Sequence, residues 1–375
     1  MNPFRIVHLD TEPTWRGGER QLFWLARELK KRGHQNWVAC RTGSPLADRC
    51  RAADLQVFEF APKGEWDLRA ASALRRFLRE QKADILHAHT AHAVGLGAVA
   101  AWPVDCGFLA TRRVDFPLRR NIFSRWKYGR LNEIVAISEK VRDVMLEHGW
   151  HGPKISVIHS GIDPADYPSP GNREDLRRAK GIRNEDLLLV NVAALVPHKD
   201  QETLIKAVEL LRKDVPAIQL LILGEGHLRS RLTRLIDQLG LKQCVHLLGH
   251  RDDVLDYVAA ADVFVLSSVE EGLGTSLLDA MSLGIPAVAT QAGGIPEIFG
   301  DSANDVLVPS RNPSALAAAL GRVIGSDDEK QRRVRWGRER LAFFTVARMA
   351  NQYLDVYQRV NVRHHEKTQR HHHHA

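Results

Sequence analysis

The sequence has few cysteines and no long apolar stretch. The cysteines form no Cys-x-x-Cys pair, which predicts reduced, structural thiols rather than a disulfide framework or a zinc site: Cys40, Cys50, Cys106 and Cys244. No run of about 18 apolar residues occurs, and residues 1–10 lack the apolar core of a secretory signal. We therefore expect a cytoplasmic protein without a membrane-spanning helix.

The chain also lacks an acidic excess and any recognisable nucleic-acid-binding module. Its net charge of +8 favours an anionic partner such as a nucleoside diphosphate or an acidic lipid, and we expect no nucleic acid. Residues 112–130 contain seven basic residues and one acid, Asp115, and aromatic residues are interleaved with them. This segment is either a solvated helical face with its core stripe, or a surface for anionic membrane or an acidic acceptor.

A length of 375 residues suits two domains of about 150–200 residues. Short β-branched runs alternate with amphipathic helical patterns along the chain, which predicts parallel sheets with helices on both sides. The strands are predicted at residues 5–10, 37–42, 57–61, 84–89, 108–111, 134–138, 155–159, 187–195, 219–223, 245–248, 263–267, 287–290 and 306–308.

A proline-rich, charged segment near residue 170 interrupts this alternation and predicts a linker. We expect an N-terminal domain over residues 1–165, a linker over 166–184 and a C-terminal domain over 185–345. A helix over residues 346–362 could pack back on the first domain, and residues 363–375 are a polar tail with a histidine run typical of a purification tag.

The segment 267–297 carries the strongest indication of chemistry. A strand leads into an acidic, glycine-containing loop, Glu271-Gly272-Leu273-Gly274, and then into a helix for which Thr275 is a good N-cap. Such a helix start offers free N–H groups to a phosphate. Glu271 and Asp279 could both accept hydrogen bonds from sugar hydroxyls. Alternatively, Glu271 is a surface acid and Asp279 a partner of the helix dipole.

This segment resembles the signature of the family 4 retaining glycosyltransferases, in which two acids eight positions apart precede Ala-Met, Gly-x-Pro and Gly-Gly-x-x-Glu. The resemblance implies an α/β protein of GT-B fold, with two doubly wound Rossmann-like domains facing a central cleft. It implies that the N-terminal domain binds the acceptor and that the C-terminal domain binds the nucleotide sugar. It implies that Glu271 contacts the donor sugar and that Asp279 holds the ribose, although the family's second acid is usually Glu.

Other landmarks of the family follow in order along the chain. Arg16-Gly17-Gly18 resembles its glycine-rich first loop, and Lys199 resembles the lysine that clamps the diphosphate, whereas Ala194 replaces the arginine of that clamp. Gly224 lies in a Gly-x-Gly turn. Arg251 lies in the loop that reads the base, and plain surface charge is the alternative for this arginine.

The catalytic position departs from the family. Relatives place a histidine after the fifth strand, where this chain has Arg112, Arg113 and Asp115. Arginine could support a leaving phosphate or an acidic acceptor but cannot act as a base near neutral pH. His87 and His89, on the preceding strand end, are buried or capping histidines, acceptor-binding residues or metal ligands.

The resemblance therefore implies a retaining glycosyltransferase that moves sugar from a nucleoside-diphosphate sugar, with UDP-sugar favoured, to a glycan or glycolipid hydroxyl of the lipopolysaccharide-core type. The chain contains no Asp-x-Asp motif, so we expect no metal or other cofactor. A membrane-anchored acceptor predicts a peripheral position on the inner face of the membrane. The alternatives are a weakened nucleotide-sugar-binding scaffold, a sugar-nucleotide epimerase of the same fold, or a phosphorylase, and the last is disfavoured by length.

Overall fold

The computed structural model describes residues 3–102, 104–118, 121–167, 173–302 and 306–372, and the side chains of all of these except Ser302 and residues 363–372. The chain forms two compact units. Unit 1 comprises Met1–Ile162 and Thr345–Ala375, and unit 2 comprises Asp163–Phe344. Among the described helices, none combines the length and the apolar character that crossing a bilayer requires.

Unit 1 contains a parallel sheet of seven strands: β1 (Arg5–Leu9), β2 (Gln35–Arg41), β3 (Gln56–Phe60), β4 (Ile85–Ala88), β5 (Gly107–Arg112), β6 (Glu133–Ala136) and β7 (Lys154–Val157). Their order is β3-β2-β1-β4-β5-β6-β7. Val7 lies opposite Trp37 on one side and Leu86 on the other. Because the order reverses between β1 and β4, the crevice of this sheet lies at their carboxyl ends.

The sheet of unit 1 is covered by helices α1 (Gly17–Lys31), α2 (Pro45–Ala52), α3 (Leu68–Glu80), α4 (Ala91–Ala101), α5 (Ile122–Gly129) and α6 (Glu139–Glu147). Five of them follow a side chain that accepts a hydrogen bond from the first turn: Ser44, Asp67, Thr90, Asn121 and Ser138. All four cysteines are buried and unpaired. Burial raises the pKa of Cys106 to about 12, which fits an inert structural thiol.

Unit 2 contains a second parallel sheet: β8 (Leu187–Val192), β9 (Ile218–Leu223), β10 (Val245–Gly249), β11 (Val263–Leu266), β12 (Ala287–Thr290) and β13 (Leu307–Val308). The order is β10-β9-β8-β11-β12-β13, with the reversal between β8 and β11. Its helices are α7 (Arg173–Ala179), α8 (Gln201–Leu211), α9 (Arg229–Gln238), α10 (Val254–Ala260), α11 (Thr275–Ser282), α12 (Ile295–Phe299), α13 (Pro313–Ile324) and α14 (Asp327–Leu341).

The last helix, α15 (Val346–His372), belongs to unit 1. It packs against β5, where a Cβ on Gly107 would lie 2.4 Å from Val360 Cγ1. Tyr353 and Tyr357 of α15 are among the largest fully buried side chains of the protein. The final segment of the chain therefore completes the core of the unit in which the chain begins.

The predicted fold class is confirmed, and all thirteen predicted strands are present with ends within three residues of those expected. The segment expected to be a linker differs, because it contains α7, whose Arg177 is buried in unit 2. Residues 168–172 of that segment lie outside the described residues. The last helix continues to His372 instead of ending at residue 362.

Arg177 is a buried cation of unit 2, 4% exposed. Its guanidinium donates to Asp262 Oδ2 at 2.6 Å and to the carbonyls of Ala260 at 3.1 Å and Asp186 at 3.0 Å. Because Arg177→Leu would leave these buried acceptors without their donor, we expect it to lower the free energy of unfolding by about 3–5 kcal/mol.

The matched control is Arg178→Leu, because Arg178 is an exposed neighbour paired with Asp175. It should change the free energy of unfolding by at most about 1 kcal/mol. Urea denaturation of the full chain measures both variants. Equal effects would show that the buried hydrogen bonds of Arg177 do not stabilise unit 2.

Candidate functional site

Three loops leave the carboxyl edge of unit 2 side by side, because β8, β11 and β12 are neighbours in the sheet. They are joined by main-chain hydrogen bonds. The N–H of Val269 donates to the carbonyl of His198 at 2.8 Å, and the N–H of Gly294 donates to the carbonyl of Glu271 at 2.8 Å. The loops that carry the predicted donor residues therefore form one connected layer.

Glu271 and Lys199, predicted separately from the sequence, form an ion pair in this layer. Lys199 Nζ donates to Glu271 Oε2, and Ser268 Oγ donates to the same oxygen at 3.1 Å. The two charged side chains are 17% and 14% exposed. In such surroundings a charge-assisted hydrogen bond is stronger than in water. The pair thus places one anionic and one cationic group side by side beyond the carboxyl end of β11.

Two glycines at this edge of the sheet, Gly293 after β12 and Gly224 after β9, permit close contact between main chains. Gly293 has φ +52°, and a Cβ there would lie 1.9 Å from the carbonyl oxygen of Glu271. Gly224 has φ +142°, and its Cβ would lie 2.1 Å from the carbonyl oxygen of Ala193. Side chains at either position would push the loops apart. Gly224, which we expected near the donor, therefore acts here by holding the loop after β8.

The start of α11 differs from expectation. Gly274, not Thr275, occupies the N-cap position, with φ +91°, and Thr275 is the first helical residue. Only a glycine readily adopts this left-handed conformation. Gly272, Leu273 and Gly274 are buried. The helix still presents its N-terminal N–H groups at the end of the Glu271 loop.

Asp279 is buried in the second turn of α11. It accepts a hydrogen bond from the Tyr167 hydroxyl at 2.5 Å. The sequence gave no indication of Tyr167, which lies within the segment read as a linker. Glu271 thus accepts hydrogen bonds from Lys199 and Ser268, whereas Asp279 accepts one from Tyr167.

Arg251 forms a two-pronged contact with Asp253: its Nε donates to Oδ1 and its Nη2 to Oδ2, both at 3.0 Å. Hydrogen bonds from Arg251 and Lys180 hold the pKa of the Asp253 carboxyl well below its usual range. The guanidinium of Arg251 also lies 5.4 Å from the centroid of the Tyr257 ring. Stacking of Arg251 on a base would therefore compete with these contacts.

In unit 1, the predicted histidines are fully buried. His87 Nδ1 lies 2.9 Å from the Tyr357 hydroxyl, and His87 Nε2 lies 2.7 Å from Thr111 Oγ1. His89 Nε2 lies 3.1 Å from Nδ1 of His8, a residue that the sequence did not single out. Burial lowers the pKa of His87 and His89 well below the usual value, so these rings are neutral near pH 7.

The three rings bring one nitrogen each to within 4.8 Å of one another, a spacing that could hold a metal ion. Neutral imidazole is a common ligand of zinc and copper. Both nitrogens of His87, however, already have hydrogen-bond partners. The cluster therefore has the ligand type for a metal but not three unengaged ligands.

The two arginines after β5 have different surroundings. The buried Arg112 donates to the carbonyl of Phe116 and bonds to Tyr128, so its side chain supports the loop that also contains Asp115. Arg113 lies beside the start of α1, where a Cβ on Gly18 would be 3.4 Å from its Cδ. Of the predicted pair, Arg113 is thus the one that lies at the glycine-rich start of α1.

Two buried acids at the same place were missed in the sequence. Asp10 follows β1 directly, and Glu19 lies in the first turn of α1, where its Oε2 accepts from the N–H of the exposed Arg16 at 2.7 Å. Burial, and then the charge of Glu19, raises the pKa of Asp10 to about 8. Burial also raises the pKa of Glu19. The sequence signal for these two acids was their position, because Asp10 comes directly after β1 and Glu19 directly after Gly17-Gly18.

Family profiles match both halves of the chain. The profile described as Glycosyltransferase Family 4 matches residues 15–166, and the one described as Glycosyl transferases group 1 matches residues 172–340. The two matches together cover all but the chain ends and a short segment near residue 170.

Individual proteins are similar over much of their length. The chain is 28% identical over 328 residues to the lipopolysaccharide core biosynthesis glycosyltransferase LpsE of Rhizobium meliloti, covering 87% of this chain and 90% of LpsE. It is 32% identical over 238 residues to EpsD of Bacillus subtilis, and this match spans only 62% of either chain. The crystal structure of Anabaena Alr3699/HepE with UDP superposes with a TM-score of 0.80 at 21% identity, covering 95% of this chain and 100% of HepE.

The raised pKa of Asp10 predicts a pH-dependent effect on stability. The usual pKa is 3.8 and the value in the folded chain is about 8. The folded state keeps a proton that the unfolded chain loses, so the contribution is complete below pH 3.8 and is lost as the pH rises toward 8. Asp10→Asn, which has no such proton, should therefore raise the melting temperature relative to wild type at pH 8.

Thermal unfolding of wild type and Asp10→Asn across pH 4 to 8, roughly the interval between the two pKa values, measures this difference. The difference should shrink toward the acid end. Asp48→Asn, which changes an exposed aspartate of the same unit, should give no such trend. A difference that does not vary with pH would rule out Asp10 as a buried, protonated acid.

Proposed function

The chain belongs to the family 4 glycosyltransferases of GT-B fold, and from this membership we propose that it moves a sugar from a nucleoside-diphosphate sugar to a hydroxyl of a cell-surface glycan or glycolipid, with retention of anomeric configuration. The observation that carries the proposal is the cluster of Lys199, Glu271 and Ser268 at the carboxyl edge of unit 2. Cation, carboxylate and hydroxyl are the groups that a sugar diphosphate requires.

On the donor side, Lys199 would bind the diphosphate, together with the N–H groups at the start of α11. Binding of the anion would draw Lys199 away from Glu271, and the carboxylate would then be available to accept hydrogen bonds from sugar hydroxyls. Asp279 would accept from a ribose hydroxyl in place of Tyr167. HepE was solved with UDP, which supports uracil as the base of the donor.

During transfer, negative charge grows on the departing diphosphate, so the fixed Lys199 and the α11 start would stabilise the transition state more than the ground state. Glu271, held by Ser268, would orient the sugar ring for attack by the acceptor hydroxyl from the leaving-group face. We propose that these residues act without a metal ion, because the chain lacks an Asp-x-Asp motif.

Glu271→Ala removes the carboxylate and should reduce transfer by at least about 100-fold while the fold persists. Its neighbour Glu270 is exposed, and Glu270→Ala is the matched control, which should keep nearly full activity. Release of nucleoside diphosphate from UDP-, GDP- and ADP-sugars, with rough-type lipopolysaccharide as acceptor, measures both variants. Unchanged turnover of Glu271→Ala would remove this residue from the mechanism.

For the acceptor side, the similarity to LpsE supports a glycolipid of the lipopolysaccharide-core type. Such an acceptor lies in a membrane, and unit 1 has an exposed apolar surface that suits contact with one. It comprises Trp66, Trp102, Ile122 and Phe123, which we call the apolar patch. Ile122 and Phe123, at the start of α5, are 76% and 64% exposed.

Ile122 and Phe123 of the apolar patch lie within the segment 112–130 that we read as basic, but the charge of that segment is lower than expected. Lys127 is buried and pairs with Glu65 at 2.5 Å, and Arg112 is buried. Arg125 remains exposed, and Arg130 lies over the rings of Trp102 and Trp126. Arg119 and Arg120 lie outside the described residues. Insertion of apolar side chains would thus supply much of the attraction, with a smaller contribution from charge.

The double variant Ile122→Ser, Phe123→Ser should weaken binding to vesicles of anionic phospholipid by at least about tenfold, because two exposed apolar side chains no longer enter the bilayer. Co-sedimentation measures it. Leu210→Ser, which changes an exposed leucine on α8 of unit 2, is the control and should bind as wild type does. If wild type does not bind, or if the double variant binds equally, the apolar patch is not a membrane contact.

A further inference from the structure

A chain of hydrogen bonds runs from β2 through β1 to the end of β4. Asn36 Oδ1 lies 3.2 Å from His8 Nε2, and His8 Nδ1 lies 3.1 Å from His89 Nε2. All three side chains are buried. His89 Nδ1, at the end of this chain, is buried without a hydrogen-bond partner.

These contacts determine where the protons are. Asn36 Nδ2 donates to the carbonyl of His34 at 3.1 Å, and a carbonyl can only accept, so the amide orientation is fixed and Oδ1 faces His8. His8 must therefore carry its proton on Nε2. Its Nδ1 has only a lone pair, so His89 must donate from Nε2.

Burial lowers the pKa of His8 to about 4 and that of His89 well below its usual value, so both rings carry one proton near pH 7. Since the proton of His89 is on Nε2, its Nδ1 has an unprotonated lone pair. This lone pair is an acceptor that is largely shielded from bulk solvent, because His89 is 3% exposed. An unsatisfied buried acceptor is costly, and such a cost is typical of a site that a ligand completes.

Two further buried atoms without partners belong to the same edge of the sheet. They are Asp10 Oδ2, after β1, and Arg113 Nε, after β5. The strand ends are joined directly: the N–H of His89 donates to the carbonyl of Leu9 at 2.9 Å. The charge of Arg113 acts on both His89 and Asp10. Asp10, His89 and Arg113 thus directly follow β1, β4 and β5, at the carboxyl edge of the sheet where the strand order reverses.

We propose that His89 Nδ1, Asp10 Oδ2 and Arg113 Nε form a subsite for a hydroxyl-rich, uncharged portion of the acceptor, and that His8 and Asn36 are positioning residues that keep the lone pair of His89 directed to it. This assignment rests on the proposed glycosyltransferase function. A sugar hydroxyl donates to His89 while its oxygen accepts from Arg113. An anion would leave the lone pair of His89 unsatisfied, and a metal ion would be repelled by Arg113.

The proton positions can be tested without any substrate. In the full chain labelled with ¹⁵N-histidine, long-range ¹H–¹⁵N spectra at pH 7 should show His8 and His89 both neutral and both protonated on Nε2. His8→Leu should abolish the preference of His89 for this tautomer. A proton on Nδ1 of His89 in the wild type would overturn the proposal, whatever the enzyme transfers.

The role of the subsite is tested by kinetics with rough-type lipopolysaccharide as acceptor. His89→Leu should lower kcat/KM for the acceptor by about 10- to 100-fold, and His89→Asn, which places an amide oxygen near the position of Nδ1, should restore most of it. His8→Leu should give an intermediate loss. KM for the donor and its slow hydrolysis in the absence of acceptor should not change in any of these variants.

The control is His34→Asn, which alters another buried histidine of unit 1 outside the subsite and should leave both rates unchanged. Equal loss of donor hydrolysis and transfer in His89→Leu would overturn the subsite. Stoichiometric Zn²⁺ binding that requires His8, His87 and His89 would replace it with a metal site. If wild type neither binds nor hydrolyses any donor, the proposed function fails, and the spectra still decide the proton positions.

Discussion

Parallel strand pairing is the constraint on which both candidate sites depend. Every strand of each sheet runs in the same direction, so every carboxyl end lies at the same edge, and the loops that leave neighbouring strands meet there. In unit 2 this brings Lys199 to Glu271, 72 positions away in sequence. In unit 1 it brings Asp10, His89 and Arg113 to the edge between β1, β4 and β5. Neither set of residues is local in the sequence.

The same constraint explains how much the sequence could predict. Each strand has its own hydrophobic run, so periodicity predicted all thirteen, and their alternation with helices predicted the sheets. Glu271 follows such a run in a segment rich in glycine, and Lys199 follows another at a position that resembles the family's diphosphate-binding lysine. The expectation that both belong to a donor site therefore needed no tertiary information. Their direct ion pair could not be predicted in this way, because no single segment of the sequence determines the order of the strands within a sheet.

The residues that were missed or misread share one property: their roles depend on which residues they contact in three dimensions. Adjacent strand residues point to opposite sides, but the sequence does not say which of Arg112 and Arg113 turns toward α1. Likewise, Lys127 lies in a segment that we read as basic, but in the folded chain its charge is paired with that of Glu65. Thr275 has the chemistry of an N-cap, yet a left-handed Gly274 takes that position because the loop reaches the helix at an angle that only glycine tolerates readily.

Unit 1 is discontinuous, and this has a consequence for biosynthesis. Residues 1–162 leave the ribosome before unit 2, but α15, which supplies Tyr353 and Tyr357 to the core, emerges last. Until then His87 and Thr111 lack their tyrosine partners, and the face of β5 that α15 covers is open. Unit 2 can therefore fold on the nascent chain while unit 1 is still incomplete. A nonsense or frameshift lesion within α15 would yield a protein with an intact unit 2 and an unfinished unit 1.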